Sequence, residues 1–276
     1  MSKALAEGDQ FYLILLNFVN YFVRHKGYIK SEKEIDTIAE GGKILRRILS
    51  ELREIVKPGV STHDLNVYAE KEIRKKGGRP SFIGYGPKAN AFPAGLCTSL
   101  NSVVVHGIPL KKDMLEQGDI VGLDIGMEYK DLYTDTAITI PAGNISPVAA
   151  RLISIAEECL TESIKKAVVG NKIGDISSTI QRVAEHAGFS VVRDLVGHGV
   201  GYAVHEDPAV PCYGKPGTGI PLEAGMVLAI EPMVCEKGWR VVFEEDGWTI
   251  STEDGGLAAH FEHTIAVTKN GPRILT

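Results

Sequence analysis

The chain has 276 residues, of which 44% are hydrophobic and 24% are charged, as in an ordinary globular protein. Its formal net charge of −5 gives no electrostatic reason to expect a nucleic-acid partner. The four cysteines form no Cys-x-x-Cys pair and a chain of this length needs no disulfide framework, so we expect a reducing, cytoplasmic location.

The N-terminal segment is unusual because residues 11–23 are almost wholly apolar. Thirteen residues are too few to cross a bilayer as a helix, and Glu7 and Asp9 do not fit the basic start of a signal peptide. We therefore predict no membrane span. Residues 1–27 are treated as an N-terminal extension, either a short packed segment or residues upstream of the true start codon. An interfacial membrane helix is the alternative.

From residue 28 onwards, the pattern predicts two helices followed by several strands, and then the same succession again. A capping box at Ser31 and Glu34 opens the first helix, Ser61 or Thr62 caps the second, and Pro147 starts the third. The predicted helices cover about 31–56, 61–76, 148–169 and 175–187; the predicted strands lie around 97–105, 119–129, 134–140, 191–196, 226–234 and 261–268. Because the strands of each half are close in sequence, they are expected to be antiparallel, which gives an α+β fold.

Two internal similarities indicate that the halves are related. Leu115–Asp124 and Leu222–Glu231 both read Leu-Glu-x-Gly-x, then an apolar run, then an acidic residue, at an offset of 107 residues. Three further residues recur with the same spacing at an offset of 111: Gly59, Asp64 and Gly77 match Gly170, Asp175 and Gly188. Such a turn before a strand is common by itself, but two similarities at nearly one offset favour a duplication. No linker separates the halves, so we predict one pseudo-symmetric domain at 28–276.

Five potential metal ligands lie on strand-like segments: Asp124, Asp135, His198, Glu231 and Glu262. A carboxylate at the end of an apolar run is costly to bury unless something pairs with it. Four converging carboxylates would repel one another, and two divalent cations would neutralise them. Carboxylate and imidazole ligands suit Mn, Fe, Co or Zn.

Other polar residues are less decisive from sequence. His106 ends the apolar strand Val103–Val105, which is often a structural position, and a lone Gly-His-Gly around His198 is a weak signal. Cys97 begins a strand after a loop, where it could line a pocket. The glycine-rich stretch 214–219 lacks the order of a phosphate-binding loop and is expected to be a surface loop.

A series of ordered motifs resembles the type I methionine aminopeptidases over about 28–276. They are Cys97–Pro109 (CTSLNSVVVHGIP), Asp124 with Asp135, Gly197–Gly201 (GHGVG), His205–Pro208 (HEDP), Ile230–Met233 (IEPM) and Phe261–Thr264 (FEHT). The resemblance implies the pita-bread fold, in which two pseudo-symmetric α+β halves surround two divalent metal ions. It also implies removal of the initiator methionine from nascent chains near the ribosome when the second residue is small, by a monomeric enzyme.

The resemblance assigns roles by position. Asp135 and Glu262 match ligands of both metals, Asp124 matches a ligand of one, and His198 and Glu231 match ligands of the other. Glu231 also matches the group that takes the proton from water. Substrate contacts are implied for His106 and His205 near the scissile bond and for Tyr85, Cys97 and Trp248 around the methionine side chain, with Phe92 less securely placed.

Two positions depart from the family pattern. Val204 stands where an aromatic pocket residue is frequent, which could widen the pocket. His260 stands where a glutamine is common and, on a regular strand, shares a face with Glu262 while His263 faces away. It could therefore alter hydrogen bonding around the metal ligands.

Two other functions are open. An Xaa-Pro aminopeptidase or prolidase of the same fold would share the five ligands, but such enzymes usually carry a further N-terminal domain and lack the sequence VVVHGIP. A non-catalytic binding protein of this fold would have lost metal ligands, whereas all five are present.

Overall fold

The computed structural model describes residues 29–276, so the predictions for residues 1–27 lie outside the described residues. The helices are α1 (Glu32–Ile55), α2 (Thr62–Lys75), α3 (Pro147–Ile164) and α4 (Ile173–His186). The strands are β1 (Arg79–Pro80), β2 (Leu96–Leu100), β3 (Val103–Val105), β4 (Ile120–Tyr129), β5 (Leu132–Pro141), β6 (Ser190–Val191), β7 (Val196–Gly199), β8 (Glu206–Pro211), β9 (Val227–Ile230), β10 (Met233–Cys235), β11 (Val241–Phe243), β12 (Ile250–Thr252), β13 (Ala258–His260), β14 (Glu262–Thr268) and β15 (Gly271–Ile274). Within this part of the chain, no helix is both long and apolar enough to cross a membrane.

The helix starts follow from capping. The Ser31 hydroxyl accepts the backbone N–H of Glu34, and the Glu34 carboxylate accepts the backbone N–H of Ser31 at 2.7 Å, which confirms the predicted capping box. Ser61 caps α2, and Pro147 is the first residue of α3. The predicted end of α3 at 169 was wrong, because the chain turns after Ile164 through short-range bonds such as that from Ala167 N–H to the Ile164 carbonyl.

The main sheet is antiparallel and joins both halves of the chain. Its order is β1-β4-β5-β14-β9-β7-β8, with β2 also pairing with β4 and β15 with β14. Strands β10, β13 and β6 form a second sheet, and β11, β12 and β3 form a third. The predicted antiparallel α+β architecture is therefore confirmed.

Three predicted strands are each broken into two. The stretch 226–234 forms β9 and β10, because Pro232 has no N–H for a ladder. The stretch 97–105 forms β2 and β3, which belong to different sheets and are separated by a turn at Asn101, whose φ is +50°. The stretch 191–196 contributes only to β6 and to the start of β7. The short strands β8, β11, β12, β13 and β15 were not predicted.

Each helix pair packs mainly on the strands of its own half, although the start of α1 also contacts β9 and β14. Leu45, Leu52 and Leu65 of α1 and α2 share one apolar cluster with Leu123 of β4. A second cluster joins α3 and α4 to β9 and β14. The apolar side chains of the central strands are thus directed into these clusters, which leaves alternate positions on those strands for the site described below.

The last residues of the chain fit closely against α1 at Gly42. A Cβ atom on Gly42 would lie 2.2 Å from the carbonyl oxygen of Leu275, a backbone atom that cannot move aside without shifting the segment. We expect Gly42→Ala to lower the midpoint of thermal unfolding by several degrees. The clash costs about 1–3 kcal/mol and outweighs the gain of about 1 kcal/mol in helix propensity. Ser50→Ala, on the exposed face of the same helix, is the control and should change little. A Gly42→Ala protein more stable than the parent would show that the contact is loose.

Candidate metal centre and substrate cavity

The described chain contains a cavity of about 390 Å³ that gathers the residues singled out from the sequence. It is lined by Phe82, Tyr85, Phe92, Cys97, Val105, His106, Asp124, Asp135, Arg193, Asp194, Leu195, Val196, His198, His205, Ala209, Glu231, Met233, Phe243, Trp248 and Glu262. Of these residues, only Arg193 and Ala209 are exposed, so they mark the mouth. All ten site residues expected from the sequence therefore meet in one place.

Strand register explains why three carboxylates converge. Ala137 of β5 is paired with Asp124 of β4 on one side and with Glu262 of β14 on the other. Asp135 lies two residues before Ala137 and therefore projects from the same face of the sheet. Asp124 ends an apolar run in the sequence but lies in the middle of β4, as the predicted strand at 119–129 implies. The convergence comes from the side-by-side pairing of three strands.

The same face continues through the other half. His198 of β7 is paired with Ala229 of β9, and Glu231 follows two residues after Ala229. The Nε2 atom of His198 lies 3.4 Å from Glu231 Oε1. Five adjacent strands thus present four acids and one histidine on one surface.

These side chains fit a divalent metal centre. Asp135, His198 and Glu262 are buried, and each offers one ligand atom within 4.8 Å of the others. Asp124 Oδ1 and Glu262 Oε1 are buried and have no hydrogen-bond partner among the described residues. A buried, unpaired carboxylate oxygen is costly, and a cation removes that cost.

The carboxylates carry raised pKa values. Burial raises the pKa of Glu231 to about 8, against the favourable effect of His198, and it raises the pKa of Asp135 to about 6. Burial and then the neighbouring acids hold the pKa values of Asp124 and Glu262 well above their usual range. Protonation and cation binding are therefore alternative ways to stabilise this cluster.

The orientation of His198 suits a ligand. Its Nδ1 lies 2.9 Å from the carbonyl oxygen of Gly199, so Nδ1 carries the proton and donates it there. Nε2 is then left as a lone-pair donor towards the acids. His260, buried on β13, places its own Nε2 3.4 Å from the second oxygen of Glu231, so Glu231 lies between two imidazoles.

Two more histidines line the cavity beside the acids. The His205 ring lies 4.3 Å from the His198 ring, centroid to centroid, and its Nδ1 is 2.5 Å from the hydroxyl of Tyr85. His106 adopts φ +58°, a conformation that is uncommon for residues other than glycine. Burial lowers the pKa of His106 to about 4 and the pKa of His205 well below its usual value, so both rings are neutral at physiological pH.

The other end of the cavity is apolar and aromatic. Trp248 packs edge-on against Phe92, with ring centroids 5.3 Å apart, and its Nε1–H donates to the Asn90 carbonyl at 2.9 Å. Gly86 permits this position, because a Cβ there would lie 2.5 Å from the indole. Val204 belongs to the same apolar cluster but does not line the cavity. Its size can therefore affect the cavity only indirectly, through the residues that form the cavity wall.

Some sequence interpretations concern residues outside the cavity. His263 faces away, as predicted, and its Nδ1 pairs with the Thr276 hydroxyl at 2.9 Å. The loop 214–219 is mostly exposed. Sequence reasoning missed Phe82, Phe243 and the stretch 193–196 as lining residues. Met233 could have been identified from the sequence, because it lies two residues after Glu231 and two residues of a strand at this spacing face the same side.

Comparisons with known proteins agree with this geometry. The model of the family described as metallopeptidase family M24 matches residues 36–269. A methionine aminopeptidase of Clostridium perfringens is 51% identical over 249 residues, which is 90% of this chain and 98% of that protein. The crystal structure of a methionine aminopeptidase from Thermotoga maritima matches with a TM-score of 0.87 and 44% identity, covering 90% of this chain and 98% of that one. A prolidase from Pyrococcus horikoshii matches with a TM-score of 0.68 at 24% identity, covering 90% of this chain and 63% of that one.

The raised carboxylate pKa values predict an unusual pH dependence for the metal-free protein. The pKa of Glu231 is about 8 in the fold and 4.5 ordinarily, so folding takes up a proton between these pH values. The free energy of unfolding should therefore fall as pH rises through this window. We expect the midpoint of thermal unfolding of chelator-treated protein, measured by calorimetry, to fall by on the order of 10 °C between pH 4.5 and a pH of about 8.

The control for this prediction is Glu231→Gln, which removes one titrating group and should make the fall smaller, while the raised pKa values of the other three acids keep part of it. Saturating Mn²⁺ should reverse the slope, because metal binding needs deprotonated ligands and strengthens as pH rises. A flat profile in the metal-free parent would show that the carboxylates do not hold protons in the fold.

Proposed function

The chain belongs to metallopeptidase family M24, and we infer from this that it is a metallo-aminopeptidase that removes the N-terminal methionine from polypeptides. Its α+β architecture is the pita-bread fold of that family. The observation that carries the function is the cavity, in which an aromatic, apolar end opens directly onto the acids and histidines. The prolidases share the fold at 22–24% identity, and this chain spans under two thirds of their length. The Xaa-Pro alternative is therefore not favoured.

We propose that the acidic face holds two divalent ions. Asp135 and Glu262 would contact both ions, Asp124 one, and His198 and Glu231 the other. This assignment is supported by the shared sheet face and by the unpaired oxygens of Asp124 and Glu262. Mn, Fe, Co and Zn all suit such ligands. When bound, the ions supply Lewis acidity and lower the pKa of a water molecule.

The side chains of the cavity have distinct roles in this proposal. Glu231 takes a proton from the attacking water and returns it to the leaving amine, and as a proposed ligand it lies beside that water in its ionised form. His205 donates to the scissile carbonyl oxygen, where negative charge develops, and His106 contacts the scissile nitrogen. Because both imidazoles are neutral, each can donate an N–H without adding charge beside the metal centre.

The apolar end determines which side chain is accepted. Tyr85, Cys97 and Trp248, together with Phe92, surround a space suited to an unbranched thioether. Leu195 and Met233 also line the cavity, and we propose that they limit the space for the second residue of the substrate, which must then be small.

We also propose the setting in which the enzyme acts. Residues 28–276 form one catalytic domain, supported by the single sheet that joins both halves. The substrates are N-termini of nascent polypeptides near the ribosome, in the cytoplasm, and the enzyme acts as a monomer.

The test is hydrolysis of two tripeptides by metal-reconstituted protein. Met-Ala-Ser should release methionine, whereas Ala-Pro-Ala should be left intact. Asp135→Asn removes a proposed ligand of both ions, so we expect its metal content to fall and its kcat/KM to drop more than about 100-fold, the upper range for losing groups that only support a ligand.

The matched control is Asp131→Asn, which changes an exposed acid next to the start of β5 and should leave both values unchanged. Cleavage of only the proline peptide would assign the protein to the Xaa-Pro branch. Full metal content without cleavage of either peptide would refute the aminopeptidase proposal.

A further inference from the structure

A buried ion pair lies behind the wall of the cavity that carries His205. Lys30 Nζ is 2.5 Å from Glu206 Oε2, and the two side chains are 1% and 2% exposed. In every other lysine or arginine pair among the described residues, the side chain of the cation is at least 39% exposed. Because burying two charges is expensive unless their geometry is well satisfied, this pair needs a specific explanation.

The second oxygen of Glu206 closes the loop that presents His205. Glu206 Oε1 accepts the backbone N–H groups of both Tyr202 and Ala203, the latter at 2.8 Å. The carboxylate thus ties the beginning of the loop 202–206 to its end. The strand that follows the loop, β8, packs tightly on β7, since a Cβ on Gly199 would lie 2.2 Å from the Asp207 carbonyl oxygen. The backbone on either side of His205 is therefore held by Glu206.

Lys30 is itself fixed to a different part of the fold. Its backbone N–H donates to the Gly225 carbonyl at 2.8 Å, and the next residue, Ser31, caps α1. The Lys30 ammonium lies 4.8 Å from the centre of the Tyr202 ring, and the Tyr202 hydroxyl donates to Glu34 of the capping box at 3.0 Å. The N-terminus of α1 and the His205 loop are thus held together by two separate contacts.

The side chains of His205 and Glu206, which are consecutive residues, point in opposite directions. The imidazole points into the cavity, where it meets His198 and Tyr85, while the carboxylate points back to Lys30. We propose that Lys30 is a positioning residue, which acts through Glu206 to hold the His205 imidazole at the scissile carbonyl. This inference rests on the role of His205 given under the proposed function.

The test is a double-mutant cycle between Lys30 and His205. Lys30→Met should lower kcat about 10- to 100-fold, as expected for misplacement of a catalytic group, with KM within about threefold of the parent value. Metal content should stay unchanged, because neither residue is a proposed ligand. In a His205→Ala background, Lys30→Met should have no further effect on kcat, because residues that act as a unit are not additive.

Loss of stability alone must be separated from loss of positioning. Leu49→Ala, in the apolar cluster of α1 and α2, is the matched control: it should lower the unfolding midpoint but leave kcat per folded molecule unchanged. If Lys30→Met does not fold, Lys30→Met/Glu206→Gln replaces it, since this protein leaves no unpaired buried charge. The side-chain carbonyl of the introduced glutamine can still accept from the loop, but the ion pair between the loop and Lys30 is lost, so the reduced kcat should remain.

The outcomes distinguish this inference from the function on which it rests. A His205→Ala protein with parental kcat would refute the role of His205 itself. If His205→Ala is impaired and Lys30→Met lowers kcat by the same factor in both backgrounds, Lys30 does not act through His205 and the inference is overturned. A parental kcat in Lys30→Met would overturn it as well.

Discussion

The mutual repulsion of four carboxylates on one face of a sheet is the constraint on which the rest of the structure depends. Asp124 and Glu262 are both paired with Ala137 of β5, one on each side, so strand pairing itself brings the two carboxylates close together. No lysine or arginine of the described chain forms an ion pair with any of the four acids. The imidazoles of His198 and His260 lie 3.4 Å from Glu231, and burial lowers the pKa of His260 to about 4. The fold therefore stores an unfavourable arrangement that only protons or cations relieve, and its rigidity keeps the acids from separating.

That rigidity comes from the two helix pairs. Each pair packs mainly on the strands of its own half, and the pairing of β5 with β14 joins the halves at the acids. A duplicated α+β unit explains why each half supplies acids from comparable strands. The unlike parts of the two halves form the remainder of the site, since the aromatic end is built largely from loops and His205 from a turn after β7.

The four acids on the sheet face could be identified from the sequence because alternation along a strand is a local property. An acid after an apolar run signals a buried carboxylate, as at Glu231, whose strand stops at Pro232 as the missing N–H requires. Strand pairing across the sheet is not local, so the placement of Asp124 opposite Ala137 had to come from the structure. The long-range ion pair of Lys30 with Glu206 was invisible for the same reason, since 176 residues separate its partners. Phe82 and Phe243 carried no periodic signal.

The placement of Trp248 has a spectroscopic consequence. The chain has only two tryptophans, and one of them forms the wall of the apolar end, with its indole N–H committed to Asn90. The other, Trp239, is half-buried and stacked against Arg193 and Arg240. Replacing Trp239 with phenylalanine would leave Trp248, in the cavity wall, as the single source of tryptophan fluorescence. Binding of a ligand in the cavity could then be followed as a shift in the wavelength of maximum fluorescence emission, without a labelled peptide.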